Sequence, residues 1–279
     1  MYQFNYTKAG SRNEAIAALG KADDGKFLAG GMTLIPTLKQ RLASPSDLID
    51  LAGVSDMVGI TDNGDSITIG AMTTHGAVAA SDVVKKKIPA LAHLAGHIGD
   101  PAVRHRGTIG GSIANNDPAA DYPAGCVGLN ATIVTSKREL SADDFFTGMF
   151  GTALADDELV TAVTFPVPAK AAYQKFPNPA SRYAIVGVMV AQTGGQIRVA
   201  VTGRGAEVRT GLRPFVRSGL YSAQAPGLPG RPRWTAAATA LYQGSVPATV
   251  YPGTGASKGD IHAQLSARPR HPVFTRDFP

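Results

Sequence analysis

The 279-residue chain has a single cysteine, Cys126, and a single tryptophan. One thiol cannot form an internal disulfide, nor an iron–sulfur or zinc site built on several thiolates. Charge is also sparse, at 17% of residues against 44% hydrophobic, which fits a folded globular chain and not a disordered one. No apolar run approaches the roughly 20 residues needed to cross a bilayer. The opening MYQFNYTKAG lacks the basic-then-apolar pattern of a secretory leader, so the cytoplasm is the expected compartment. Also missing are the Rossmann G-x-G-x-x-G and the Walker G-x-x-x-x-G-K-[ST]. No Ser-His-Asp arrangement can be argued from spacing.

The net charge of +6 does not point to nucleic acid once it is located. Residues 1–200 carry 17 Lys and Arg against 18 Asp and Glu, a balance of −1; residues 201–279 carry 10 against 3, a balance of +7. Those arginines are scattered among Pro and Gly, without the stacking aromatics or basic helix face of a nucleic-acid binder. The compact run Lys85-Lys86-Lys87 reads as a solvated helix end.

What is present is an alternation of helix and strand signals. Ser11 with Glu14 forms a capping box before AIAAL and predicts a helix over 12–20. KFLAG (26–30) and DLIDL (47–51) read as strands, with a helix from Met32 between them, so the opening is a small α/β unit. Residues 58–73 read as a hairpin about Asp-Asn-Gly-Asp, 88–99 as a helix, and 106–123 as a long irregular loop. Ser141 with Asp144 starts a short helix. A strand at 158–168 ends in two prolines, and a strand pair at 183–203 surrounds Gly194-Gly195. Beyond about residue 204 periodicity fades into an Arg/Pro/Gly/Ala-rich stretch that reads as loop-rich.

Two glycine pairs stand out, in LAGGMTLIP (28–36) and GTIGGSIANND (107–117). Glycines at strand-to-helix breaks let successive backbone N–H groups converge on an anion, and two such breaks suit one extended ligand with a diphosphate. Asp117 and Asp121 could pair for acid–base work, cap helices, or accept hydrogen bonds from a ribose; turn and cap roles have the stronger base rate. His93 and His97 have i, i+4 spacing but no third ligand, and read as surface or packing residues. Cys126, in PAGCVGLNA, reads as a buried inert thiol.

Four stretches, LAGGMTLIPTLKQRL, IGAMTTH, DPAVRHRGTIGGSIANNDPAADYPA and DDELVTAVTFPVP, together resemble the FAD-binding medium subunit of the molybdenum hydroxylases, carbon monoxide dehydrogenase-like members above all. The likeness runs from residue 1 to about 203. It implies an α+β fold: a vanillyl-alcohol-oxidase or PCMH-type FAD domain over 1–169, split into subdomains of about 1–55 and 56–169, then a smaller α+β domain over 170–279. It also implies FAD on this chain, molybdopterin–Mo on a large partner subunit and [2Fe–2S] clusters on a small one, assembled as a dimer of heterotrimers. Electrons would pass through the clusters to FAD and on to an external acceptor. Carbon monoxide, an N-heteroaromatic, an aldehyde and a purine are all substrates of such assemblies. A stand-alone flavin-dependent oxidoreductase, and a scaffold that has lost its cofactor, are the competing readings.

By the same resemblance Ala29, Gly30, Gly31, Met32 and Thr33 wrap the FAD pyrophosphate, with Leu28 and Leu34 flanking it. Thr108, Gly110, Gly111 and Ser112 form a second contact loop, Asp121 and Lys175 bind the cofactor, and Ile98, Leu159, Val160 and Tyr183 lie near the ring. No catalytic or metal-binding residue is expected on the chain itself. Ser112 and His105 stand where many members have Asn. Residues from about 204 to 256 depart from the family, whereas GDIHAQLSARPRHPVFTR (259–276) matches again, the pattern expected of a local reading-frame error or of wrongly assigned residues. Peptide masses matching GLPGRPRW would refute that reading.

Overall fold

The computed structural model describes residues 1–193 and 195–203. The expectations for Gly194 and for 204–279, including the loop-rich stretch and the GDIH segment, lie outside the described residues.

The first unit is β1 (Asn5–Lys8), α1 (Arg12–Leu19), β2 (Gly25–Leu28), α2 (Leu34–Lys39) and β3 (Asp47–Asp50). Its strands are parallel in the order β1-β3-β2, as the β-α-β pattern requires. Ser11 caps α1 as expected, its Oγ accepting the Glu14 N–H at 3.2 Å, while the Glu14 carboxylate accepts from the Gly10 N–H (2.7 Å), one residue before the cap. The second helix begins at Leu34 and not at Met32, because Met32 and Thr33 form the turn that leads into it, directly after Gly31 at φ +72°.

The second unit runs through β4 (Ile60–Asp62), β5 (Ser66–Gly70), α3 (His75–Ala80), α4 (Asp82–Lys87), α5 (Pro89–Gly96), α6 (Pro101–Arg106), α7 (Ile109–Asn115) and α8 (Asp121–Gly128). It continues with β6 (Thr132–Thr135), β7 (Glu139–Ser141), α9 (Ala142–Phe145), β8 (Phe146–Gly148), β9 (Gly151–Thr152) and β10 (Val160–Pro166). An antiparallel sheet of order β4-β5-β10-β6-β7 results. Alternation along its strands turns Ile67, Ile69, Ile133, Val163 and Phe165 to one buried face, with Val163 paired to Ile69 and to Ile133. Leu91, Leu94, Ile109, Ile113 and Tyr122 from the helices complete that core. Lys85, Lys86 and Lys87 form the last turn of α4, as expected.

The stretch 106–123 is not an irregular loop. Most of it is α7 and the start of α8. Thr108 caps α7 through its hydroxyl, Asn116 ends it in the left-handed conformation (φ 45°), and Pro123 sits in the first turn of α8, where its missing N–H costs nothing. The glycine pair 110–111 therefore lies inside a first helical turn that follows another helix, and not at a strand-to-helix break.

A third antiparallel sheet, β11 (Lys170–Pro177), β12 (Ala184–Thr193) and β13 (Gln196–Thr202), closes the described chain. It packs on α5 and α8. The single Thr202 hydroxyl proton is shared between Pro118 O (2.9 Å) and Ala120 O (2.7 Å), fixing the entry to α8. Among the described residues no helix is long and apolar enough to cross a membrane.

Candidate functional site

A cavity of roughly 500 Å³ lies where the three units meet, a volume in the usual range for a small-molecule or cofactor site. Ala29–Leu34 line one wall and Thr108, Gly110, Gly111 and Ser112 a second. Ile98, Asp121, Leu159, Val160 and Tyr183 complete the set that the sequence placed at the cofactor. Two members of that set do not reach the cavity. Leu28 ends β2 and packs beneath Gly31, and Lys175 stands behind Asp121.

The two glycine loops differ in what they offer a ligand. Among the described residues, the backbone N–H groups of Gly30, Gly31, Met32, Thr33 and Leu34 donate to no protein acceptor. Five consecutive open donors, with Gly31 turned into the left-handed region, are the backbone features of an anion-binding nest. The second loop gives its donors to other protein groups. Ile109 N–H donates to Thr73 O (3.1 Å), Gly110 N–H to Ala71 O (2.8 Å) and Gly111 N–H to Thr108 Oγ1 (3.2 Å). That loop shapes the wall and supplies the Ser112 hydroxyl. The two loops touch: a Cβ on Gly30 would stand 2.1 Å from Arg106 O and 2.8 Å from Gly107 Cα.

Asp121, at the first position of α8, is 4% exposed. Its carboxylate accepts from Lys175 Nζ at 2.8 Å and from the Tyr173 hydroxyl, and Lys175 Nζ also donates to His97 O at 2.9 Å. Burial raises the Asp121 pKa, while the Lys175 ammonium beside it and the Tyr173 hydroxyl pull it back. The same burial, with the Asp121 charge, pushes the Tyr173 phenol far up. Asp121 thus faces the cavity with its ionic partner behind it, joining α8 and α5 to β11.

Among the cavity residues not singled out as site residues from the sequence are three with polar side chains, Glu158, Arg182 and His75. Glu158 is held by Arg138 (2.9 Å), the Thr135 hydroxyl (2.6 Å) and Ala155 N–H (3.0 Å), which lower its pKa to about 2. It anchors the segment that carries Leu159 and Val160. Arg182, in the left-handed conformation (φ 60°), sits with Tyr183 at the mouth. His75 is buried on the floor, its pKa lowered to about 4 by burial and by the Arg104 charge. A histidine in IGAMTTH carries no signal of its own in a single sequence; the strand-to-helix break before it was the available clue.

The remaining sequence candidates have structural roles. Asp117 lines the cavity and accepts the Ala119 N–H at 2.8 Å, the turn role expected of it. His93 and His97 are exposed, their rings 4.1 Å apart, and no group of potential metal ligands occurs among the described residues. Cys126 is fully buried and its thiol is pushed up by desolvation, so it is inert. His105 is exposed near the end of α6.

Residues 2–168 match the family model described as the FAD binding domain in molybdopterin dehydrogenase. The chain is 39% identical over 210 residues to the carbon monoxide dehydrogenase medium chain of Afipia carboxidovorans, covering 72% of this chain and 73% of that one. It is 34% identical over 200 residues to the nicotine 6-hydroxylase medium subunit of Paenarthrobacter nicotinovorans, covering 70% and 71%. Among solved structures, the carbon monoxide dehydrogenase from Hydrogenophaga pseudoflava that lacks the Mo-pyranopterin moiety of the molybdenum cofactor superimposes with a TM-score of 0.68 at 38% identity, covering 72% of this chain and 74% of that one. Quinoline 2-oxidoreductase from Pseudomonas putida superimposes with a TM-score of 0.69 at 33% identity, covering 73% and 75%.

Proposed function

The chain belongs to the FAD-binding medium subunits of the molybdenum hydroxylase-type dehydrogenases, and on that premise we propose that it is the electron-transfer subunit of such an assembly. In this reading a large molybdopterin subunit oxidises the substrate and a small subunit relays electrons through [2Fe–2S] clusters. This chain passes them through FAD to an external acceptor, in the cytoplasm, within a dimer of heterotrimers. A chain with one cysteine has no thiolates for the clusters, which supports placing them on a partner. We further propose the division into an FAD domain at 1–169, with its break near residue 55, and a second domain from 170.

The observation that carries the reading is the row of five open amides, Gly30 to Leu34, facing a cavity with a largely apolar far wall. The residues fit a flavin dinucleotide: amides and the Ser112 hydroxyl for the diphosphate region, Ile98, Leu159 and Val160 for an aromatic ring, Asp121 for a polar edge. FAD bound there supplies the redox chemistry. The protein binds and orients it, excludes water with the apolar wall, and fixes Asp121 through the buried Lys175 ammonium.

The test is to purify the full chain and identify the released chromophore by absorbance and mass. FAD at close to one per chain is expected, with co-purification of two partners when the three genes are expressed together. Absence of flavin overturns the cofactor reading. Turnover of an organic substrate by the lone chain overturns the electron-transfer role.

A further inference from the structure

His75 is the buried polar side chain on the cavity floor that nothing above has given a role. It opens α3, and its backbone N–H is fixed by Gly107 O at 2.9 Å, so the ring has little freedom to move away. It is 4% exposed, and its Nδ1 is sealed from solvent with no hydrogen-bond partner. The Tyr122 ring lies 5.3 Å away, but the Tyr122 hydroxyl is itself unpartnered and does not supply one.

Because Nδ1 is sealed away from any partner, Nε2 is the nitrogen from which the neutral ring can donate to a ligand. The edge carrying Nε2 lies against Gly107, where a Cβ would stand 2.6 Å from it, and both residues line the cavity. Gly107 in turn touches Gly30, so this N–H lies beside the junction of the two loops. Beside it, the first amides of α7 are taken by Thr73 O, Ala71 O and Thr108 Oγ1, and Arg104 Nη1 donates to Ile98 O (3.1 Å) and Gly99 O (2.9 Å), whereas the Gly30–Leu34 amides across the junction are open.

We propose that His75 is a cofactor-binding residue, its neutral imidazole donating a hydrogen bond from Nε2 to an oxygen of the bound dinucleotide. The proposal rests on the reading that the cavity takes FAD. A purely structural wedge against Gly107 would use the shape of the ring and not its proton, which is what the test separates.

The experiment titrates FAD into the flavin-free full chain and its His75→Phe, His75→Gln and His75→Asn variants, with the melting temperature of each apoprotein measured alongside. Phe keeps the ring and loses the donor, the Gln amide reaches the Nε2 position, and the Asn amide reaches only the Nδ1 position. Affinity is expected to fall about tenfold for Phe and for Asn and to return for Gln, the size of one neutral hydrogen bond. Wild-type affinity in the Phe variant overturns the proposal. Where a variant fails to fold, the wild-type chain decides by ¹⁵N NMR: the His75 Nε2 resonance should be the protonated one and should move on adding FAD. Protonation on Nδ1, or a resonance that FAD leaves in place, overturns it. A wild-type chain that takes up no FAD overturns the FAD reading itself, a different result from an unaffected variant.

Discussion

Gly30 shows how little room a single residue has at the junction of the two loops. A methyl group there would stand 2.1 Å from a backbone oxygen, and backbone gives way less readily than a flexible side chain. Gly30→Ala is expected to push the first loop off Arg106–Gly107 and weaken FAD binding about 5- to 150-fold, equivalent to about 1–3 kcal/mol of overpacking; flavin titration checks it. Lys175 illustrates the opposite kind of constraint. Lys175→Met strands a buried Asp121 carboxylate and is expected to cost about 3–5 kcal/mol in chemical denaturation, with part of the loss recovered in the Asp121→Asn/Lys175→Met double variant. The sequence resemblance named both residues as cofactor contacts. It could not show that one stands behind the other, because they are 54 positions apart and only the packing of β11 on α5 and α8 brings them together. His75, though inside IGAMTTH, was not marked as a site residue for a related reason: burial and an unpartnered nitrogen are properties of the fold, not of a residue type.

The α7 segment is the clearest case of an element that composition misrepresents. Its glycines and asparagines read as loop, yet Gly110 packs its backbone on Ala71 and Asn116 supplies the left-handed stop. Asn116 also donates from Nδ2 to Gly148 O (2.8 Å) and Gly151 O (2.6 Å), tying the end of α7 to the β8–β9 hairpin. Asn116→Ala loses both bonds and strains a positive φ, so about 2–4 kcal/mol of destabilisation is expected. Hydrogen exchange should rise at 146–152 before it rises in β10, and a uniform rise would argue against this link. By contrast, elements whose apolar spacing matches their burial were legible: β10 with its alternating buried residues, α5 with its apolar run, and the β12–β13 pair. β1 was missed because all four of its residues are exposed and it carries no core pattern.

Over the whole molecule, His75 leaves a signature in the pH dependence of apoprotein stability. In the unfolded chain it titrates near 6.5 and in the folded chain near 4. Between these values the unfolded state binds more protons, so stability falls as the pH drops from 6.5 towards 4 and levels off below. The full shift corresponds to a loss on the order of 3 kcal/mol. His93, lowered by partial burial and by His97, adds a smaller contribution of the same sign. Asp121, whose folded pKa is raised, works the other way as its carboxylate takes up a proton. Glu158, lowered to about 2, contributes stability that is fully present above about 4.5 and is lost only as the pH falls towards 2. These other groups are common to the wild type and to His75→Phe, so subtracting their denaturation curves across pH isolates His75. The difference is expected to open between pH 6.5 and 4, with the variant less affected by acid. Parallel curves would mean that His75 is protonated as readily in the fold as in water, and that the neutral donor on the cavity floor does not exist.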